Sequence, residues 1–339
     1  MKQKKIIKSA LKIYPRNLLL NQYKIDLNEK KNINEFNCKK SNHVIAEILY
    51  ITANALSSQS VYTLSNFYLN LAKFLNKDFY SYDSLLAENF YKTDNFENAK
   101  KIYKDLRKRG EAFKWFSTKQ LARILIQEEK NEEAIKLTDS VYKSLINKEI
   151  YETFDFAEFL KNNEKFKEAI VHYTNVLNNI KNDHPLYPEA KDGRGVAFER
   201  VGNWEMAEKD LLESLDADPN QAYVINYLAY SWIEKGIRIE KSLAMLDKAN
   251  KLKSNDPYII DSLGWALFKL ERYIESKDYL QLAVRLMPGD PIVNDHYGDV
   301  LWKNGNELQA RYYWNYVLNL EEAEENLKKV IDKKMIKGL

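Results

Sequence analysis

The sequence is expected to fold as an all-α solenoid of antiparallel helix pairs, and three observations carry that expectation. Among 339 residues there are only 10 Gly and 7 Pro, too few to punctuate the turns of a sandwich or a doubly wound sheet. The chain is self-similar at a period of 34 or 35 residues, the length of one helix–turn–helix unit. Inside each unit, small residues recur at fixed offsets on two helical stretches. At 45% apolar and 30% charged, the composition is that of a folded chain. No run of about 18 apolar residues reads as a membrane span. Length alone suggests about two or three domains, but the period turns it into a stack height of about ten units.

Taken in order, residues 1–42 read as a partial repeat and a basic linker. Ile6 to Pro15 has the pattern of the second helix of a unit, and Leu18 to Leu27 that of a following first helix. A stack opening on half a unit lacks a polar cap, so the natural start is expected further upstream. The segment carries eleven basic side chains against three acidic ones, within a whole-chain balance of only +3. That end could steer an acidic partner, but the simpler reading is a solvated, Lys-rich terminus. The single cysteine, Cys38, excludes an internal disulfide and a thiolate metal cage, and sits in an expected loop. Residues 28–42, rich in Lys and Asn, read as the linker.

Residues 43–187 read as divergent helix pairs. In 80–113, Ala87, Phe90, Ala99 and Tyr103 keep the spacing, as do Ala122, Leu125, Ala134 and Thr138 in 115–148. Ala157, Leu160, Ala169 and Tyr173 keep it in 150–187. Residues 43–77 fit only with about three extra residues after Ala53.

Residues 188–324 hold four well-matched units, 188–221, 222–256, 257–290 and 291–324. Gly195, Ala229, Gly264 and Gly298 fill a small site on the first helix, and Ala207, Ser242, Ser276 and Ala310 its counterpart on the second. Such sites let two helices approach closely, while Leu211, Leu280 and Trp314 plug the groove between them. Gly202, Glu271 and Gly305 mark turns within units, Asp-Pro pairs mark unit boundaries, and one residue is inserted near Gly236. Finally, 325–339 reads as a C-terminal capping helix with Leu327, Val330, Ile331 and Met335 on one face.

This combination of period, paired small sites and turn signals resembles the tetratricopeptide repeat family. Pro257-Tyr258-Ile259-Ile260-Asp261-Ser262-Leu263-Gly264-Trp265 is most similar to bacterial envelope-associated members. The resemblance implies a right-handed superhelix whose first helices line a concave groove through the second, fifth, ninth and twelfth positions of each unit. Carried over here, the groove residues include Tyr223, Asn226, Tyr230, Tyr258, Asp261, Trp265, Phe268, Asp295, Asp299 and Trp302. They are expected to form an aromatic band with a carboxylate edge, suited to a basic or aromatic peptide or protein segment. The Lys/Asn clamp some members use for a terminal carboxylate is not visible. Aromatic stripes at this spacing also serve as core, the competing reading of the same residues.

No catalytic or cofactor motif appears: no P-loop, no zinc-binding His pair, no nucleophile elbow. His296 neighbours Asp295 and Asp299, but no third converging group makes a site of them. The chain is therefore read as a non-catalytic protein-interaction scaffold of about eight helix pairs, without metal or cofactor. The alternatives are a helical-repeat RNA-binding protein, disfavoured by the acidic groove, and the repeat region of a larger envelope protein or enzyme. Read as it stands, the sequence has no secretory signal and points to the cytoplasm, with a periplasmic or envelope location if an upstream signal exists. Nothing in it fixes an oligomeric state.

Overall fold

Each helix pair is made by the same turn. Two residues past the end of the first helix the backbone turns left-handed, at Asp94, Glu129, Glu164, Gly202, Gly236, Glu271 and Gly305. The next amide reaches back to a carbonyl five residues earlier: Asn95 to Phe90 at 2.8 Å, Asn203 to Phe198 at 2.8 Å, Arg272 to Leu267 at 2.9 Å. This is the glycine-type helix stop, and it satisfies carbonyls that the helix end orphans. Side chains then start the following helices. Asn95 and Asn203 cap within a unit, and Asp256 and Asp290 accept from the first two free amides ahead of Pro257 and Pro291. Near Gly236 the inserted residue is absorbed by a second left-handed residue, Arg238.

The structure is a computed structural model describing residues 2–31, 40–77, 80–146 and 148–339. Cys38 and the middle of the expected linker, 32–39, lie outside these. Among the described residues there are nineteen α-helices, one short 3-10 turn and no strand. The chain divides into two compact units, Met1–Val176 and Leu177–Leu339.

Unit 1 holds α1 (Lys2–Ile13), α2 (Leu18–Asn28), α3 (Ser41–Ser58), α4 (Tyr62–Leu75), α5 (Ser81–Lys92), α6 (Phe96–Leu106), α7 (Glu111–Gln127), α8 (Asn131–Ser144) and α9 (Ile150–Asn162), with α10 (Phe166–Asn178) at its end. Helices α3 to α10 pair successively, and α4, α6 and α8 pack in turn on the following first helices α5, α7 and α9. The extra residues of 43–77 do not form a loop. They lengthen α3 to 18 residues as one unbroken helix. Helices α1 and α2 pair with each other, and α2 packs on α7 rather than stacking ahead of α3. The half-unit expected at the start of the stack is thus a hairpin laid across it.

Unit 2 holds α11 (Leu186–Arg200), α12 (Trp204–Ala217), α13 (Ala222–Glu234), α14 (Ile239–Leu252), α15 (Pro257–Lys269), α16 (Tyr273–Leu286), α17 (Pro291–Lys303), α18 (Glu307–Leu318) and α19 (Glu325–Lys337). Its small sites are tight. A Cβ on Gly264 would lie 2.6 Å from Leu280 Cγ and 3.2 Å from the Leu280 amide nitrogen, and one on Gly298 would lie 2.5 Å from Trp314 Nε1. Ala207, Ser242, Ser276 and Ala310 are fully buried opposite. Helix α19 packs on α18 and adds Ile331 to the core.

Two substitutions separate these constraints. Gly264→Ala is expected to destabilise unit 2 by about 1–3 kcal/mol through overpacking against Leu280. Glu271→Gly is expected to stabilise it by up to about 1 kcal/mol by relieving a left-handed non-glycine residue. Calorimetric melting of both variants checks the pair, and a Gly264→Ala melt matching the parent would remove close approach as the reason for that glycine.

The first-helix faces as the candidate interaction site

Offsets of three, four and three residues put the second, fifth, ninth and twelfth positions of a first helix on one face. The ten expected groove residues therefore share the first-helix side of α13, α15 and α17, but they differ sharply in exposure. Tyr223 and Tyr258 are open, at 53% and 55%. Asn226, Tyr230 and Trp302 are half-buried. Asp261, Trp265, Phe268, Asp295 and Asp299 are buried. The open aromatic band with a free carboxylate edge is corrected accordingly: in this array the fifth and ninth positions meet partners about one repeat away.

Those partners form a connected network. His296 Nδ1 lies 2.9 and 3.0 Å from the two carboxylate oxygens of Asp261, one period earlier. The imidazole stacks on Trp265 at 3.9 Å between centroids, and Trp265 stacks on Phe268 at 4.7 Å. Trp265 Nε1 donates to Glu234 at 2.7 Å. From α19, Lys334 Nζ donates to Asp295 at 2.7 Å and to Asp299 at 2.8 Å, and Trp314 Nε1 donates to Asp299 at 3.0 Å. The Arg311 guanidinium lies 4.7 Å from the Trp302 ring centroid. The edge expected to select a basic ligand is thus already neutralised by the chain's own His296 and Lys334.

The charges respond to this enclosure. Burial pulls the His296 imidazole down, but the Asp261 charge and hydrogen bond, with Asp295 and Asp299 beyond, outweigh it and hold it above its ordinary value. Burial, then the Asp295 charge, pushes the Asp299 carboxyl up to about 6, while Lys334 pulls the other way. Both groups bind their protons more tightly folded than unfolded. The His296 contribution is whole below the unfolded imidazole value of about 6.5 and is lost as pH rises through the raised folded value. The Asp299 contribution grows as pH falls from about 6 toward 3.8.

In unit 1 a helix of the same chain lies over the first-helix side. Leu18 and Leu19 of α2 pack against a core containing Ala87 and Phe113. Arg16 pairs with Asp155 at 2.5 Å and lies 5.2 Å from the Tyr151 ring, and Lys24 pairs with Glu149 at 2.6 Å. Gln22 is buried, and its Oε1 accepts from the Ala112 amide at 3.0 Å. Gly110, at the start of α7, has no side chain to cap with, so Gln22 supplies the cap from 90 residues away. Part of the basic terminus is therefore committed within the chain. Beside α2, a cleft of about 400 Å³ runs along Tyr50, Glu88, Phe116 and Gln120.

Of the ten groove residues, Asn226 has a buried Oδ1 with no hydrogen-bond partner among the described residues, on the helix turn beside Tyr223. A carbonyl acceptor left this way costs about 1–3 kcal/mol unless a donor arrives from outside. His296, Glu234 and Lys334 are the important residues that a motif search misses. Their signal is separation by roughly one period, 35 residues for Asp261–His296 and for Asp299–Lys334. Among the described residues no three His, Cys, Asp or Glu side chains converge to hold a metal ion. No helix among them is long and apolar enough to cross a membrane.

Repeated antiparallel pairs, tight small sites and a common left-handed turn define an all-α helical-repeat protein of the tetratricopeptide type. In agreement, the chain is similar to the TPR repeat-containing protein PA4667 of Pseudomonas aeruginosa, 28% identical over 146 residues. That stretch is 42% of this chain and 23% of the relative, so the match spans about a quarter of the relative's length. No family model matches the chain. Among solved structures it aligns with MamA of Desulfovibrio magneticus RS-1 at 18% identity, over 53% of this chain and 99% of that one, TM-score 0.45. It also aligns with pilF of Pseudomonas aeruginosa at 18% identity, over 55% and 85%, TM-score 0.45. A third is TTC0263, a thermophilic TPR protein of Thermus thermophilus, at 13% identity, over 56% and 100%, TM-score 0.46. Proteins of this type generally mediate protein–protein interactions and are generally non-catalytic.

Two outcomes test the network. Unit 2 is expected to melt at a higher temperature at pH 5 than at pH 8, with Asp261→Asn flattening the upper part of that profile. A variant profile superimposable on the parent's would show that His296 does not carry the dependence. Lys334→Met is expected to cost about 3–5 kcal/mol by stranding two buried carboxylates. Adding Asp295→Asn and Asp299→Asn should recover much of it in the same denaturation series, and no recovery would refute charge as the cause.

Proposed function

We propose that the chain is a non-catalytic scaffold that takes a peptide or protein segment on the first-helix face of 188–324, along the edge formed by Tyr223, Asn226 and Tyr258. The observation that carries this reading is the Asn226 acceptor, unpaired among the described residues, beside the half-exposed Tyr223, whose ring has the Lys253 ammonium 4.0 Å from its centroid. An aromatic surface gives contact area at low entropic cost, and a buried carbonyl fixes the register of an incoming N–H. The seat of α2 in unit 1 supports it, because there the same kind of face holds a helix through apolar contacts, one buried amide and ion pairs at its ends.

The buried members of the expected site have a different role in this reading. Trp265, Phe268, Asp261, Asp295 and Asp299 hold adjacent first helices in fixed relation, so the exposed edge is presented without reorganisation on binding. Selection then rests on the shape of the tyrosine edge and the Asn226 acceptor. Trp302, half-covered by Arg311, borders the face at α17.

The test is selection of a random peptide display library on the whole chain, followed by affinity measurement of the enriched peptides. Tyr223→Ala combined with Tyr258→Ala is expected to weaken binding at least about tenfold, each aromatic anchor being worth more than about 1 kcal/mol. Asn226→Leu is expected to weaken it further while leaving the melting temperature at or above the parent's, since it also removes an unpaired buried acceptor. Enriched peptides that bind both variants as tightly as the parent would place recognition elsewhere.

A further inference from the structure

The first repeat of unit 1 carries an uncovered apolar face. Ile45, Ile48 and Ile51 on α3 and Leu64, Phe67 and Leu71 on α4 are 39–66% exposed. Helical spacing places them opposite the side chains that meet α5, which include Ser57 and Asn66, both bonded to or through Asn89, and Lys73, paired with Asp83. This is the side on which a preceding repeat would stack, and α1–α2, packed on α7, does not stack there.

The face is also uncharged. Between residues 41 and 76 the only Asp, Glu, Lys or Arg side chains are Glu47 and Lys73, in a chain that is 30% charged overall. Glu47 accepts from Tyr82 and Lys73 pairs with Asp83, so both are engaged with α5. A charged partner would find nothing to pair with, whereas two copies of this face can meet without like-charge repulsion. With aromatic and large aliphatic side chains about half exposed, the face offers about 600 Å² per copy. Two copies would bury about 1,200 Å², enough for a specific interface and at the upper limit of what a monomer leaves bare.

We propose that the α3–α4 face is a homodimer interface, on which a second copy of the chain seats its own α3–α4 face about a two-fold axis. Such a contact is self-complementary and closed, so it stops at two copies.

Sedimentation of the whole chain from about 1 to 100 μM tests this. The parent is expected to be a dimer with a dissociation constant near the micromolar range. Ile48→Glu and Phe67→Glu, at exposed positions, are expected to weaken it at least about 100-fold with unchanged helical content. Mixing Phe67→Glu with Phe67→Lys should restore a mixed dimer, which a merely unfolded variant would not do. A parent that stays monomeric at 100 μM, variants that dimerise as the parent does, or a monomer that floats with neutral phosphatidylcholine vesicles would each overturn the proposal.

Discussion

The two helices of a repeat can cross closely only where one of them has almost no side chain. Gly264 against Leu280 and Gly298 against Trp314 leave no room for a methyl group, and the fully buried Ala207, Ser242, Ser276 and Ala310 repeat that economy on the second helices. Once the crossing is fixed, the turn must be short, and it is: one left-handed residue and one reaching amide. A fixed crossing and a short turn leave little freedom in where the next first helix lands. That brings Asp261 opposite His296 and Lys334 opposite Asp295 and Asp299. The polar network in unit 2 is therefore downstream of steric spacing, since each partner stands where the repeat puts it.

Much of this was legible in the residues. The period, the small sites with their plugs, the Asp-Pro starts and the inserted residue near Gly236 are local patterns, and local chemistry decides them. The exposure of the first-helix face was not legible. Whether Trp265 points to a ligand or to a neighbour depends on what stands one repeat further on, and His296 looks ordinary when only Asp295 and Asp299 are considered beside it. The place of α1–α2 was hidden for the same reason at longer range. Arg16–Asp155 spans 139 residues and Gln22–Ala112 spans 90, and no window of a repeat's length contains either pair. Three left-handed glutamates, Glu129, Glu164 and Glu271, show the converse: packing imposes a backbone that their own preference would avoid.

Buried charge also alters how the face should be read. Counted along the sequence, the groove positions of α15 and α17 look acidic, yet the imidazole of His296 and the ammonium of Lys334 balance them inside the fold. What reaches solvent is the tyrosine edge. A pair such as Lys334 with two carboxylates adds little net stability compared with an apolar core, but it penalises any arrangement in which α19 is misplaced. It is a device for position more than for strength.

The cap that Gln22 lends to α7 has a consequence for how unit 1 comes apart. An ordinary repeat array is a row of neighbours, able to fray from either end because each element holds only the next. Here the first helices of the chain are clasped to α7 and α9, so the row is tied back on itself. Such a clasp raises the mean sequence separation of contacts, which slows folding relative to a simple stack, and it joins local opening at the start of α7 to release of the hairpin. During synthesis α2 emerges long before Ala112, and it has no seat until five further helices, α3 to α7, have formed.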